Sequence, residues 1–131
     1  MNLSKIFPPR PDWVHKGNYG NVLVVAGSKL YSGSATLAAV AALRTGADMV
    51  TVAAPARAAD AALTTLPDLI TYPLKGDFVS VKHLNDIMDL VKVRKINSVV
   101  VGCGMGRHAT TMAAVRRLIS RLNIPMVLDA D

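Results

Sequence analysis

The chain has 131 residues, of which 51% are hydrophobic, 5% aromatic and 18% charged, and its formal net charge is +6. A chain of this length predicts one domain, spanning 1–131, that buries roughly two thirds of its unfolded surface. No apolar run is long enough for a membrane helix, and prolines stand where a secretory signal would have its apolar core, so we expect a cytoplasmic protein with no membrane partner. The single cysteine, Cys103, excludes an internal disulfide framework and a zinc site made of several thiolates.

Apolar runs alternate with helical patterns along the chain, an order that is typical of βαβ units and therefore of an α/β fold with a parallel sheet. Residues 1–20 form an N-terminal extension that leads into the first strand. The predicted strands are 22–26, 49–53, 69–74, 98–101 and 126–128. The predicted helices are 35–45, 56–63, 84–91 and 110–122.

Two of these helices carry specific expectations. The helix at 35–45 is apolar all round, which predicts that it is largely buried, and Gly46 is expected to cap it. In the helix at 110–122 the side chains expected to face the core are those of Val115, Leu118, Ile119 and Leu122. Its arginines, expected to be mostly solvated, come without helix-turn-helix spacing, an aromatic platform or a zinc motif, so we expect no nucleic-acid partner.

Ligands of open α/β sheets bind beyond the carboxyl ends of the strands. Those ends carry Gly27 and Ser28, then the GCGMG motif at 102–106, and then Asp129 with Asp131. The loop GSKLYSG at 27–33 opens a helix, whose unpaired N–H groups suit an anion or a polar substrate. We predict a binding site made of these stretches; turn glycines and solvated acids are the alternative interpretation.

The GCGMG motif is not a dinucleotide fingerprint, because GxGxxG would require glycine at position 107, where the chain has Arg107. Alternating glycines instead let a planar or phosphorylated ligand approach the backbone closely. A side chain at Gly104 is therefore expected to fill ligand space and to weaken binding more than folding. The three histidines show no spacing that predicts a metal site.

Several motifs together resemble the NAD(P)H-hydrate dehydratases of the ribokinase-like superfamily. They are HKG at 15–17, GS after the first strand, YSGS at 31–34, LRTGADMVTVA at 43–53, GCGMG at 102–106 and VLDAD at 127–131. The chain departs from the family pattern at Gly33-Ser34, where Gly-Ala is usual, and at GCGMG, where GPGLG is usual. The resemblance covers nearly the whole chain, which looks like the N-terminal half of a family member.

The resemblance implies a three-layer ribokinase-like α/β fold and a lyase activity in nicotinamide nucleotide repair. ADP or ATP and Mg²⁺ would be the cofactors, and hydrated NAD(P)H the substrate. Ser34 and Gly104 match the family's substrate-binding positions. The full set of predicted binding residues is Ser34, Gly104, Gly27, Ser28, Gly33, Gly102, Gly106 and Asp129.

No catalytic residue is predicted, because the superfamily's G-x-G-D motif is absent from this sequence. The chain is expected to supply the substrate side of a site completed by a C-terminal half or by a homo-oligomer. Two other functions stay open at this point. One is a catalytically inactive nucleotide-binding module, and the other is a fragment of a related small-molecule kinase.

Overall fold

Five strands form one sheet in the order β3-β2-β1-β4-β5. The structure is a computed structural model that describes residues 3–129, so Asp131 lies outside the described residues. The strands are β1 (Asn21–Val25), β2 (Met49–Pro55), β3 (Ile70–Leu74), β4 (Ser98–Val101) and β5 (Met126–Leu128). All four neighbouring pairs are parallel, which confirms the predicted α/β architecture.

One short helix precedes β1, and the other helices connect the strands. The helices are α1 (Leu3–Ile6), α2 (Ser32–Arg44), α3 (Ala56–Thr65), α4 (Leu84–Val93) and α5 (Ala109–Arg121), with a 3₁₀ turn at Val81–His83 before α4. Within residues 3–129, none of these helices is long and apolar enough to span a membrane.

The two faces of the sheet are covered by different kinds of side chain. On one face, α2 and α3 pack alanines such as Ala39 and Ala59 against Val24 and Val52. Small side chains let these helices lie close to the sheet. On the other face, α4 and α5 bury larger side chains, among them Ile87, Leu90 and Leu118, against Leu23, Val25, Val99 and Val101. The sheet is thus the middle of three layers.

Helix α2 is buried only along one stripe, made of Ala35, Thr36 and Ala39. Leu37 is 75% exposed, so the prediction that this helix is largely buried is wrong. An apolar composition all round does not bury a helix when only one side has a sheet to pack against. The predicted cap is confirmed: Gly46 has φ +103°, its N–H donates to Leu43 O, and the next N–H, of Ala47, donates to Ala42 O.

Helix α5 also faces the core with a different stripe from the one predicted. Thr111, Ala114 and Leu118 are buried, whereas Ile119 is 41% exposed. Val115 and Leu122 are only partly buried against the core. The prediction was wrong for Ile119 because it selected the large apolar side chains, while small residues face the layer that packs most closely.

The order of the strands creates a crevice next to β1. The chain leaves β1 through α2 toward β2, and later returns through α4 to β4 on the other side of β1. The loops after β1 and β4 therefore leave the sheet in different directions. Such a switch point is where open α/β sheets bind their ligands.

Candidate functional site

The loops that follow β1 and β4 are joined at the carboxyl edge of the sheet. The N–H of Gly27 donates to Cys103 O at 2.8 Å, and the N–H of Gly102 donates to Val25 O at 3.2 Å. Asp129, directly after β5, donates its N–H to Val101 O at 2.9 Å. The structure confirms the prediction that these three strand ends lie at the same edge of the sheet.

A cleft of about 640 Å³ opens between these loops and the start of α2. Its lining residues are Tyr31, Ser34, Gly104, Gly106, Arg107 and Asp129. Its volume lies within the range of small-molecule sites. Four of the eight residues predicted to bind substrate thus share one cleft, namely Ser34, Gly104, Gly106 and Asp129.

Gly104 holds the GCGMG loop against the first turn of α2. Its φ is +65°, and a Cβ atom at this position would lie 1.9 Å from Ser34 Oγ and 2.9 Å from Tyr31 Cβ. The expectation that a side chain at 104 would occupy ligand space is therefore wrong. It would collide with protein, and a substitution would disturb the loop and the cleft together.

Hydrogen bonds between neighbouring residues shape the turn before α2. The hydroxyl of Ser34 donates to Tyr31 O at 2.7 Å, and the N–H of Tyr31 donates to Ser28 Oγ at 3.2 Å. Ser28 is buried and lines a second, adjacent cleft rather than the first. Its hydroxyl oxygen accepts a hydrogen bond within the turn and so helps to fix the position of Tyr31.

The other three predicted residues, Gly27, Gly33 and Gly102, line neither cleft. Gly27 is a packing residue, since with φ +78° its Cβ would lie 2.9 Å from the Cβ of Ala58. Gly102 packs in the same manner against Asp129, at 3.0 Å. Gly33 has open space around it. The first two bring the strand ends together.

Two helices begin at this edge without a side-chain cap. The residues at their N-caps, Tyr31 for α2 and His108 for α5, make no side-chain capping hydrogen bond. The first N–H groups of a helix lack partners within it and carry the positive end of the helix dipole. The carboxyl edge is therefore electrostatically suited to an anionic ligand.

The adjacent cleft has a volume of about 240 Å³ and contains aromatic and charged side chains that the sequence analysis did not select. The ring of Phe78 stacks on that of His108 at 4.2 Å, with an angle of 11° between the planes. Lys29 and Asp77 form an ion pair at 3.2 Å across the rim. Tyr31 and Arg107 line both clefts. For Tyr31 and Arg107, the sequence signal was their position in the YSGS motif and directly after the GCGMG motif.

Histidine and aspartate residues elsewhere do not add to the site. His83 is buried; its Nδ1 accepts from the N–H of Ser80 and its Nε2 donates to Lys75 O, a structural arrangement. Residues 3–129 contain no group of three or more His, Cys, Asp or Glu side chains suited to a metal ion. Asp48 lies at the opposite, amino edge. Its carboxylate accepts hydrogen bonds from the N–H groups of Tyr19 and Gly17, which hold its pKa below the ordinary value.

Comparison with known proteins identifies the family of the chain. The family model described as NAD(P)H-hydrate dehydratase matches residues 22–131. A bifunctional NAD(P)H-hydrate repair enzyme of Methanothermobacter thermautotrophicus is 45% identical over 95% of this chain and 24% of its own length. An ATP-dependent (S)-NAD(P)H-hydrate dehydratase of Batrachochytrium dendrobatidis is 32% identical over 98% of this chain and 45% of its own.

Solved structures show the same fold. An ADP/ATP-dependent NAD(P)H-hydrate dehydratase of Bacillus subtilis, co-crystallised with ATP/Mg²⁺, superposes with a TM-score of 0.74 and 24% identity, over 94% of this chain and 41% of that one. A ribokinase-like superfamily protein of Enterococcus faecalis gives a TM-score of 0.72 at 19% identity, over 92% and 39%. The chain spans between about a quarter and a half of the length of these relatives. By the match of the family model to 22–131, the chain belongs to the NAD(P)H-hydrate dehydratase family.

Proposed function

We propose that this chain forms the substrate-binding wall of a lyase that repairs hydrated NAD(P)H with ATP or ADP and Mg²⁺. The observation that carries the proposal is the cleft of about 640 Å³ at the switch point between β1 and β4. Ser34 and Gly104, the two positions that match the family's substrate-binding residues, lie against each other in this cleft. Family membership favours this reaction over that of a small-molecule kinase.

The reaction begins on the hydroxyl group of the hydrated nicotinamide ring. That oxygen attacks the terminal phosphoryl group of the nucleotide, the bond from this phosphorus to the rest of the nucleotide breaks, and the hydroxyl proton goes to a base that the rest of the family fold would supply. Departure of phosphate with a ring proton then restores the ring double bond. Such transfers depend on positioning and on stabilisation of negative charge. In this chain the loop at 102–106 and the first turn of α2 would position the ring. The uncapped N-terminus of α2 would favour the developing anion.

The residues that line the cleft could hold magnesium only together with phosphate oxygens of the nucleotide. Among residues 3–129, Asp129 is the carboxylate that lines the cleft. Magnesium is commonly held by one or two carboxylates together with substrate phosphates, and it supplies charge neutralisation to the phosphoryl group. Of the described part of the chain, Asp129 is the residue that would contribute to such a site.

An open apolar groove lies along one side of the sheet, and we propose that the rest of the family fold covers it. The groove, of about 510 Å³, is lined by side chains of α2, β4 and β5, including Ala41, Val100 and Val127. Val127 is 63% exposed, and within residues 3–129 no strand pairs with the outer edge of β5. The solved neighbours contain more than half of their length outside the portion that matches this chain. A strand and a helix from that portion would cover the groove and complete the site.

A chimera tests the proposed function directly. In it, this chain replaces the portion of the Batrachochytrium enzyme that it matches, so that the remainder supplies the nucleotide-binding residues. We expect the chimera to regenerate the dihydronicotinamide absorbance of hydrated NADPH in the presence of ATP and Mg²⁺. Asp129→Asn should lower turnover by about tenfold or more, as loss of a charge-assisted contact implies.

Asp86→Asn is the matched control, because it removes an exposed carboxylate in the first turn of α4 that lines neither cleft. It should leave turnover unchanged. A folded chimera that binds hydrated NADPH and never turns it over would support the binding-module interpretation instead. Self-association of the isolated chain that survives addition of the complementing portion would assign the groove to a second copy.

A further inference from the structure

We propose that Arg107 and the stacked pair Phe78–His108 form a second subsite, which holds the diphosphate and the adenine of the dinucleotide substrate. This proposal rests on the function proposed above and extends it from the nicotinamide ring to the rest of the substrate. The ring would occupy the larger cleft and the adenosine the smaller one. Their common boundary would hold the diphosphate.

Arg107 stands at that boundary. Three residues line both clefts, namely Tyr31, Gly106 and Arg107, so the two clefts adjoin. The side chain of Arg107 is exposed and forms no ion pair with any residue of 3–129. A guanidinium group presents a planar set of donors that matches two phosphate oxygens. Its place between the clefts fits the central, most highly charged part of a dinucleotide.

The stacked pair offers a flat surface in the smaller cleft. The ring of Phe78 is half-buried and is fixed by its neighbours, since its backbone bridges that of Ser28 and the preceding Asp77 pairs with Lys29. His108 lies on it at 4.2 Å and is itself exposed. The outer face of His108 can therefore extend the stack by one more planar ring. A purine base is such a ring.

The start of α5 adds a favourable field at the same place. His108 is the N-cap residue of this 13-residue helix, and no side chain caps it. The positive end of α5 thus lies beside Arg107 and acts in the same direction on an anion. The cation, the exposed ring of the stack and the uncapped helix start follow one another along the chain, at Arg107, His108 and Ala109.

Binding of ADP-ribose to the 131-residue chain tests the subsite, because this probe contains the diphosphate and the adenine but no nicotinamide. Titration calorimetry should show binding that weakens with added salt. Arg107→Gln should reduce the affinity by about 10-fold to 100-fold. The matched control is Arg117→Gln, an exposed arginine of α5, which should leave the affinity unchanged.

A second pair of variants tests the stack. His108→Ala should reduce the affinity for ADP-ribose by about tenfold, and His108→Phe should restore it, because stacking requires a flat ring and not an imidazole. Thermal melts of each variant report folding separately. Failure of the wild-type chain to bind ADP-ribose, or equal effects of the changes at 107 and 117, would overturn the subsite.

The same binding measurements distinguish a failure of the subsite from a failure of the proposed function. If ADP-ribose binds through Arg107 while hydrated NADPH binds no more tightly than ADP-ribose, the subsite stands and the assignment of the ring cleft fails. If hydrated NADPH binds and neither variant weakens it, the ring cleft stands and the subsite fails.

Discussion

The two ends of the sheet are built from the same strands but differ in how their loops are held. At the amino edge, the carboxylate of Asp48 accepts 2.8 Å hydrogen bonds from the N–H groups of Gly17 and Tyr19. Arg10 pairs with Asp48 at 3.5 Å and lies over the ring of Tyr19, 4.1 Å from its centre. The extension before β1 is therefore tied to the start of β2.

The turns that end α2 and α4 strengthen the same edge. Each turn reverses the chain through two backbone hydrogen bonds before the next strand begins. The turn after α2 is at Gly46, and the turn after α4 is at Lys95. The side-chain amide of Asn21 also donates to the carbonyl oxygen of Arg94 at 3.2 Å. Polar groups of this edge thus bind mostly to one another.

At the carboxyl edge, backbone hydrogen bonds join the loops near the strand ends, but beyond them the two clefts open and the helices α2 and α5 start without side-chain caps. Unsatisfied N–H groups cost stability unless water or a ligand binds them. At the amino edge, side chains thus tie the loops together, while at the carboxyl edge two helix starts are left without side-chain caps.

The largest effect is expected at Gly27, where the carboxyl edge depends on close packing. Gly27→Val should lower the free energy of unfolding by about 2–5 kcal/mol, since it adds left-handed strain of about 1–2 kcal/mol and overpacking of about 1–3 kcal/mol against Ala58. Urea denaturation measures the loss. Gly33→Ala is the control: it lies in α2 with nothing within 4 Å of its new methyl group, and it should not lower stability, because alanine is the better helix former. Similar losses in both variants would show that Gly27 has no special packing role.

A smaller effect is expected from Asp48→Asn at the amino edge, and it should depend on pH. The hydrogen bond from the Tyr19 N–H, supported by that of Gly17 and by Arg10, lowers the pKa of Asp48 from its ordinary 3.8 in the folded protein. The unfolded chain therefore takes up the proton first as pH falls. The stabilisation by this carboxylate is complete above the unfolded value and is lost as pH drops through the folded one.

The variant should accordingly be less stable than the wild type at neutral pH, and the difference should shrink below the ordinary carboxyl range. Denaturant midpoints measured over that range test the sign. Asp60→Asn removes the same charge from an exposed position of α3 and is the matched control. A stability difference for Asp48→Asn that is constant with pH would contradict the assigned hydrogen bonds.

Much of the fold, and the edge of the sheet that carries the clefts, could be predicted from the sequence. Alternating apolar runs and helical patterns predicted all five strands, their parallel direction and the shared edge of Gly27, Gly104 and Asp129. Periodicity could not show which glycines pack and which line a cleft. That distinction depends on partners distant in the chain, Ala58 for Gly27 and Ser34 for Gly104.

The second cleft was missed for the same reason. Phe78 and His108 stand in separate loops, and nothing near either residue in the sequence indicates that their rings stack. The exposed side of α2 was mispredicted because composition reports how apolar a helix is, and not how many layers cover it. Local patterns predicted the elements and their edge, whereas contacts between loops determined the shape of the site.

The smallest predicted effect is a stabilising one, at the turn after α4. Lys95 has φ +51° in the same kind of helix-ending turn in which Gly46 has φ +103°. A left-handed conformation costs a non-glycine residue about 1–2 kcal/mol, while glycine adds about 0.4–1 kcal/mol of unfolded-chain entropy. Lys95→Gly should therefore raise the free energy of unfolding by about 0.5–1 kcal/mol in urea denaturation. Lys92→Gly, which places the same residue in the last turn of α4, should instead lower it by about 1 kcal/mol. A loss of stability in Lys95→Gly would mean that the lysine side chain contributes more to the amino edge than its backbone strain costs.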